Sequence, residues 1–185
     1  LHLPVQSGSN HILKSMNRKH DINSYLSTIK KLKNIKKNIK ISSDFIIGYP
    51  GETKKDFEDT INLIKKVDFI NSYSFIFSPR PGTVSANLDL IEKRICMQRL
   101  EKIQNQLYEN QIRMNKSLEN KIINVLAENL TGDKKKVFGR SEYMTSVIFN
   151  GRDKDIGKIV PVKIIKSNRS TLFGELAINM NKKVA

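Results

Sequence analysis

The spacing of apolar positions along the chain changes character near residue 116. Before it, short apolar runs alternate with segments whose apolar residues recur every three or four positions; after it, only short runs remain, separated by clusters of Gly, Asp, Asn and Ser. LHLPV (residues 1–5) reads as a short strand, and NHILKSMNRKH follows as a short helix with Ile12, Leu13 and Met16 on one side. A second helix starts at Asp21, whose side chain suits an N-cap, and carries Ile22, Tyr25, Leu26, Ile29 and Leu32 at helical spacing. IKISSDFIIGYPGET is a strand feeding a glycine turn. Thr53 and Asp56 then form a capping box for a helix with Phe57, Ile61 and Ile64 as its buried stripe. VDFINSYSFIFSPRPGT supplies the next strand and loop. Helices this long cannot be hairpin connections, so successive strands should lie parallel, joined by right-handed crossovers.

Residues 91–116 read as one long helix with Ile95, Leu100, Ile103, Leu107 and Ile112 among its apolar positions, and with Cys96 as a small buried hydrophobe. Beyond it, KIINVLAEN, KKKVFGRSE, SVIFNG, KIVPVKIIKS and TLFGELA predict a small antiparallel barrel of five strands. The predicted organisation is an α/β domain over residues 1–117 and a β-barrel over residues 118–185.

Composition narrows the picture. A hydrophobic fraction of 38% suffices for a core. No apolar run approaches the roughly 20 residues that span a bilayer, and no basic-apolar-small leader opens the chain, so the expected compartment is the cytoplasm, with no membrane partner. The single cysteine excludes an internal disulfide framework and any site needing several thiolates from this chain. A formal charge of +15 points to a polyanionic partner, because Lys and Arg that neutralise phosphates release condensed counterions. The competing explanation is codon usage: Lys, Asn and Ile, all abundant here, are the residues of A/T-rich codons. Lys30, Lys31, Lys33, Lys36 and Lys37 pose the same choice locally, between a solvated helix end and a phosphate-binding patch.

Parallel α/β folds place their sites in the loops at the C-terminal ends of the strands. Three such loops are legible. In VQSGSN, Gln6 and Ser7 offer amide and hydroxyl groups to a ribose or another polar substrate group. In GYPGET, Gly48 and Gly51 let a ligand approach the backbone, Pro50 stiffens the turn, and the following helix N-terminus favours anionic groups. In SPRPGT, a rigid turn presents Arg80. Each alone fits an ordinary tight turn; together, at one end of consecutive strands, they predict a shared ligand site. Ser7 and Ser78 have no histidine at a spacing that suggests a nucleophile-base pair, and His2, His11 and His20 match no metal-ligand pattern, so no catalytic or metal residue is nominated. Asp44 and Glu52 default to turn and capping roles.

LHLPVQSGSNHILKSMNRKH, SSDFIIGYPGETKKDFEDT and SFIFSPRPGTVSANL, in this order and ahead of a small β domain, resemble the C-terminal part of the radical S-adenosylmethionine (SAM) methylthiotransferases. Within that family the chain is most similar to the bacterial tRNA enzymes that add a methylthio group to isopentenyladenosine beside the anticodon. VFGRSEYMTSVIF and GKIVPVKIIKSNRSTLFGEL resemble the TRAM module, an OB-like RNA-binding barrel.

The resemblance implies the C-terminal half of a partial (β/α)6 radical SAM barrel followed by that TRAM barrel. It assigns SAM binding to Gln6 and Ser7 on the ribose and methionine side and to Ile46, Ile47 and Gly48 near the adenine. It further assigns RNA contact to Arg80, and the basic residues Lys134, Lys135, Lys136, Arg140, Lys163 and Lys166 are candidate tRNA contacts on the small barrel. Family members hold one [4Fe-4S] cluster with a Cys-x-x-x-Cys-x-x-Cys loop and a second with three cysteines of an N-terminal domain. With Cys96 alone, neither ligand set is in this chain, so two clusters are expected only in a longer parent.

Leu1 then reads as a truncated start at the fourth barrel strand, with LHLPV as an exposed edge, and the fragment alone should be inactive. In the implied reaction, reduced cluster and SAM generate a deoxyadenosyl radical, hydrogen is abstracted from the adenine carbon, and the inserted sulfur is methylated. The parent is expected to act as a monomer. Two alternatives stand beside this reading: a non-enzymatic RNA-binding protein gripping tRNA through the same basic residues, and a sister methylthiotransferase acting on threonylcarbamoyladenosine or a ribosomal protein.

Overall fold

A computed structural model describes residues 1–177; the end of the second expected domain, residues 178–185, lies outside the described residues. The chain divides into two compact units, residues 1–110 and 111–185, with the division inside the long helix. The first unit runs α1 (Asn10–Ser15), α2 (Ile22–Ile35), β1 (Asp44–Ile47), α3 (Lys54–Val67), β2 (Tyr73–Ile76) and most of α4 (Lys93–Lys116). β1 and β2 pair in parallel, Asp44 opposite Tyr73 and Ile47 opposite Ile76, as the strand-helix-strand pattern predicts. Among the described residues no helix is long and apolar enough to cross a membrane.

LHLPV is extended, but it does not form the predicted strand. Its strand pairing with the segment leading into β1 is limited to an isolated parallel bridge of His2 with Ser42, followed by a second just beyond it, Gln6 with Phe45. Between them the first segment advances four residues and its partner three, so one residue bulges. Pro4 has no N–H to give. Val5 turns its N–H to Ser43 Oγ at 2.9 Å, and the Leu3 carbonyl accepts from Tyr25 Oη at 2.7 Å. Regular pairing resumes where Gln6 N–H donates to the Asp44 carbonyl at 3.0 Å.

The core of this unit collects Val5, Tyr25, Ile29, Ile41, Phe45, Ile47, Phe57, Ile61, Ile64 and Phe69, with Ile103 and Leu107 from α4. Phe45 and Ile47 face this core and Asp44 and Ile46 face away, the period of two that a strand imposes. The apolar pattern over-reads one position of α4: Ile112 is exposed, while Asn110 is buried. The Asn110 side chain donates to the Ile64 carbonyl at 3.3 Å, which satisfies a polar group at a position a hydrophobe would otherwise fill.

One carboxylate ties the helix starts together. Thr53 caps α3 through the predicted box with Asp56, and Asp56 Oδ2 accepts from Thr53 Oγ1 at 2.6 Å and from Thr53 N–H at 2.9 Å. Its other oxygen accepts from Ser9 Oγ at 2.5 Å, and Ser9 is the N-cap of α1. His11 Nδ1 lies 3.3 Å from Oδ2. Alongside, Gly8 N–H donates to Thr60 Oγ1 at 2.9 Å, and a side chain at Gly8 would run into the backbone of Asp59 and Thr60. The loop after LHLPV is thereby pressed onto the first turns of α3.

The second unit is a closed five-stranded barrel of β3 (Ile122–Leu130), β4 (Val137–Ser141), β5 (Ser146–Asn150), β6 (Ile159–Ser167) and β7 (Thr171–Leu176), in the order β3-β4-β5-β7-β6. The number of strands is as predicted, but the barrel is not wholly antiparallel: β5 and β7 pair in parallel, Ser146 opposite Thr171. Closing the sheet with β7 between β5 and β6 requires one such pair, and strand order cannot be read from local patterning. Register shifts at Ala127/Asn129 and Ile164/Lys166 bend β3 and β6. Gly139 and Gly174 sit where a side chain would strike the backbone of the neighbouring strand, which allows the tight curl of a small barrel.

Burial opposes ionisation of Asp56, yet the hydrogen bonds from Ser9, Thr53 and His11 outweigh it and hold the carboxyl at about 2 against an ordinary 3.8. A depressed acid stabilises the fold above its ordinary value and loses that contribution as the pH falls through the folded one. Asp56→Asn is expected to cost about 2 kcal/mol at neutral pH and to remove the part of the acid dependence that lies between those two values. Urea unfolding of both proteins across the acid range checks this; parallel pH profiles would contradict it.

Candidate functional site

On the face of β1 and β2 opposite the core, a cavity of about 470 Å³ is lined by Gln6, Asp44, Ile46, Phe75, Ile76, Phe77, Ser78, Arg80, Thr83 and Ser85. Two of the three predicted loops, VQSGSN through Gln6 and SPRPGT through Ser78, Arg80 and Thr83, line it; the GYPGET loop does not, and only Asp44 and Ile46 of the strand before it do. Gln6 lines the cavity with its backbone in the left-handed region at φ 73°, a conformation that costs a non-glycine residue energy and tends to persist where the surroundings demand it. The pairing described above makes that demand: Gln6 donates to Asp44 O, and its own carbonyl accepts from Ile46 N–H at 2.9 Å. Ile46 and Arg80 line the same space.

Three other nominated residues are positioned differently. Ser7 is buried, and its hydroxyl lies 3.4 Å from Thr60 Oγ1 and accepts from Ser9 N–H at 3.2 Å, so it serves the loop's own structure. The Ile47 side chain is fully buried in the core, and its carbonyl accepts from Phe77 N–H at 2.8 Å. Gly48, at φ 70°, lies against the Cys96 sulfur where a side chain would clash, and its N–H donates to Glu52 Oε2 at 3.0 Å.

The sequence reading did not reach Phe75, Phe77, Thr83 and Ser85. The alternation in SYSFIFS places Phe75 and Phe77 in phase, which was a usable signal, whereas Thr83 and Ser85 arrive through the fold of the SPRPGT turn. Thr83 Oγ1 donates to the Arg80 carbonyl at 2.8 Å and so braces that turn. Asp44 is at the cavity wall, with His2 Nε2 3.4 Å from its Oδ2. Glu52 proves to be the buried anchor of the glycine loop. Its Oε2 accepts from Arg99 Nη1 at 2.6 Å, and the same nitrogen donates to the Glu52 carbonyl at 3.0 Å. The Arg99 guanidinium also lies 5.5 Å from the Phe57 ring centre. Burial pushes the Glu52 carboxyl up, countered by Arg99 and the Gly48 N–H.

The mixture of flat apolar walls and amide, hydroxyl, carboxylate and guanidinium groups suits a nucleoside-sized molecule; small-molecule sites commonly enclose about 300–1,000 Å³. The residues present therefore fit a nucleoside cofactor such as SAM. They do not fit an iron-sulfur cluster as its ligands. The chain has one cysteine, and among the described residues no group of three or more His, Cys, Asp or Glu is arranged to hold a metal ion.

The nominated cationic residues of the second unit are exposed. Lys134, Lys135 and Lys136 form the β3–β4 turn, in which Lys135 N–H donates to Asp133 Oδ1 at 3.2 Å and Lys136 N–H to Thr131 Oγ1 at 3.2 Å. Arg140 leans over the Phe138 ring at 5.8 Å and pairs with Glu128 at 3.4 Å. Lys163 lies opposite Ile122 and Glu175, and Lys166 opposite Phe173. The turn, β4 and β6 thus carry all six; Arg80 belongs to the first unit.

Comparison with known proteins adds independent weight. Residues 1–64 match the Radical SAM superfamily and residues 116–177 the TRAM domain. Over its whole length the chain is 62% identical to the tRNA-2-methylthio-N(6)-dimethylallyladenosine synthase of Pelagibacter ubique, covering 42% of that protein. Proteins of the same name from Rickettsia akari and Wolbachia pipientis wMel are 44% identical over 95% and 94% of the chain, which covers 40% of each. The chain thus spans about two fifths of the length of these relatives.

Arg99→Ala would leave the Glu52 carboxylate buried without its partner and is expected to destabilise the fold by about 3–5 kcal/mol. Adding Glu52→Gln should recover part of that loss. Chemical denaturation of the single and double variants measures both.

Proposed function

We propose that the chain belongs to the radical SAM methylthiotransferase family and is the C-terminal part of a tRNA methylthiotransferase that modifies N6-isopentenyladenosine beside the anticodon. The observation that carries the reading is the convergence of Gln6, the β1 residue Ile46 and Arg80 on one nucleoside-sized cavity, in a chain this similar to proteins of that name. In this reading residues 1–117 form the last three units of a partial (β/α)6 barrel and residues 118–185 form the RNA-binding module. The longer protein acts in the cytoplasm as a monomer and holds two [4Fe-4S] clusters.

SAM together with a reduced cluster supplies radical hydrogen abstraction, and this chain's residues bind and orient. Gln6 presents its amide to the ribose from a backbone already fixed by its pairing with β1. Ile46, Phe75 and Phe77 provide flat apolar contact for a purine. The Gly48 turn is held by Glu52, and Ser7 and Ile47, both buried, support the strand ends. Arg80, on a turn braced by Thr83, offers a fixed cation to a phosphate. On the second unit, Lys134, Lys135, Lys136, Arg140, Lys163 and Lys166 neutralise the tRNA backbone.

Deletion of the parent gene is expected to abolish 2-methylthio-N6-isopentenyladenosine in tRNA hydrolysates, with the unmethylthiolated nucleoside accumulating. Nucleoside mass spectrometry reads both. Unchanged tRNA alongside loss of a modification on threonylcarbamoyladenosine or a ribosomal protein would move the assignment to a sister substrate. Separately, converting Lys134, Lys135 and Lys136 to Ala should make log K for tRNA fall less steeply with log salt. About 0.7 of slope per lost single-strand phosphate contact gives a change of about 2.

A further inference from the structure

The outer surface of the barrel carries a feature that phosphate contacts do not explain. Val137, Val147, Phe149 and Leu172 are fully buried, so the alternate residues of β4, β5 and β7 face outward. Register then aligns them across strands. Phe138 lies opposite Ile148, Ile148 opposite Phe173, and Phe173 opposite Lys166. The result is a row of two aromatic rings flanking one aliphatic side chain, all partly exposed, and ending in a cation. Neighbouring rows are polar: Arg140, Ser146 and Thr171 on one side, Asn150 and Glu175 on the other, with Lys163 opposite Glu175.

We propose that this row is a base-stacking platform for single-stranded RNA, with Phe138 and Phe173 each receiving one unpaired base and Arg140 and Lys166 holding the adjoining phosphates. The inference rests on the RNA-binding part of the function proposed above and gives it a mode. Strands are spaced about 4.8 Å apart, so the two rings stand about 10 Å apart across Ile148, room for two bases of a splayed strand. A duplex buries its base faces and offers nothing to such a row, whereas every unpaired base has a face to stack. The occupant follows from charge: a protein partner would have to meet Arg140, Lys166 and the Lys134–Lys136 turn, whereas an RNA strand brings the phosphates those cations need. Arg140 lies over the Phe138 ring at 5.8 Å, so an arriving base takes over that face and the guanidinium turns to the adjoining phosphate.

The test uses the full 185-residue chain and two fluorescently labelled probes, a 12-nucleotide single-stranded RNA and the same sequence as a duplex, read by anisotropy across a salt series. Expected results are preference for the single strand and about 10-fold or greater weakening by Phe138→Ala with Phe173→Ala. The salt slope should not change, in contrast to the lysine variant. Phe138→Trp should retain affinity, and because the chain has no other tryptophan its indole emission should be quenched on binding; this reports stacking even if the alanine variant does not fold. Equal affinity of a folded alanine variant, absence of quenching, or equal binding of duplex would overturn the platform while leaving RNA binding intact. Failure of the unmodified chain to bind either probe would overturn both. Capture of an acidic peptide in preference to RNA would reassign the face to a protein partner.

Discussion

The ionised carboxyl of Asp56 is the constraint on which the first unit's site depends. One buried charge satisfies the N-cap residues of two helices, Thr53 of α3 and Ser9 of α1. Helix N-termini leave orphan N–H groups that favour a negative charge, so the carboxylate is stabilised by the structure it organises. Because Ser9 belongs to the loop that carries Gln6, and Thr53 to the loop that carries Gly48 and Glu52, the distance between those loops is set at Asp56. Gly8, with no side chain to hold Thr60 away, lets them close. That closure fixes the loop on the far side of Gln6, while the backbone pairing of Gln6 with Asp44 and Ile46 fixes its near side.

What the sequence made legible follows from the range of the interactions involved. The Thr53–Asp56 capping box, the Asp21 cap and the stripe of Phe57, Ile61 and Ile64 are local, set within one or two turns, and all were readable. The second half of Asp56's work was not, because Ser9 lies 47 residues away. Glu52 was assigned by default to the turn, and its partner Arg99 is likewise 47 residues distant on another element. In the barrel, five strands could be counted from their alternation, but the parallel pairing of β5 with β7 is a property of order, which alternation does not encode. LHLPV failed as a strand for a local reason that was visible: Pro4 removes a donor, and one residue bulges beside it.

The strand period also separates residues that a resemblance groups. Ile46 and Ile47 are adjacent and were nominated together, yet one lines the cavity and the other the core. A motif transferred as a string carries both; only the pleat says which side chain can meet a ligand and which contributes through its backbone. The same period operates in the barrel, where the cations were easy to nominate by type, while the row of Phe138, Ile148 and Phe173 emerges only once three strands are in register.

Cys96 is committed to structure for the same physical reasons. Burial raises its thiol, with the nearby Glu52 carboxylate acting in the same direction, and its sulfur packs against the α-carbon of Gly48. A thiol kept protonated is a poor ligand, since clusters bind the thiolate. Its position also has a steric consequence: the sulfur occupies the space a side chain at position 48 would need, which together with φ 70° restricts that position to glycine. The one cysteine of the chain is thus committed to packing against the Gly48 turn.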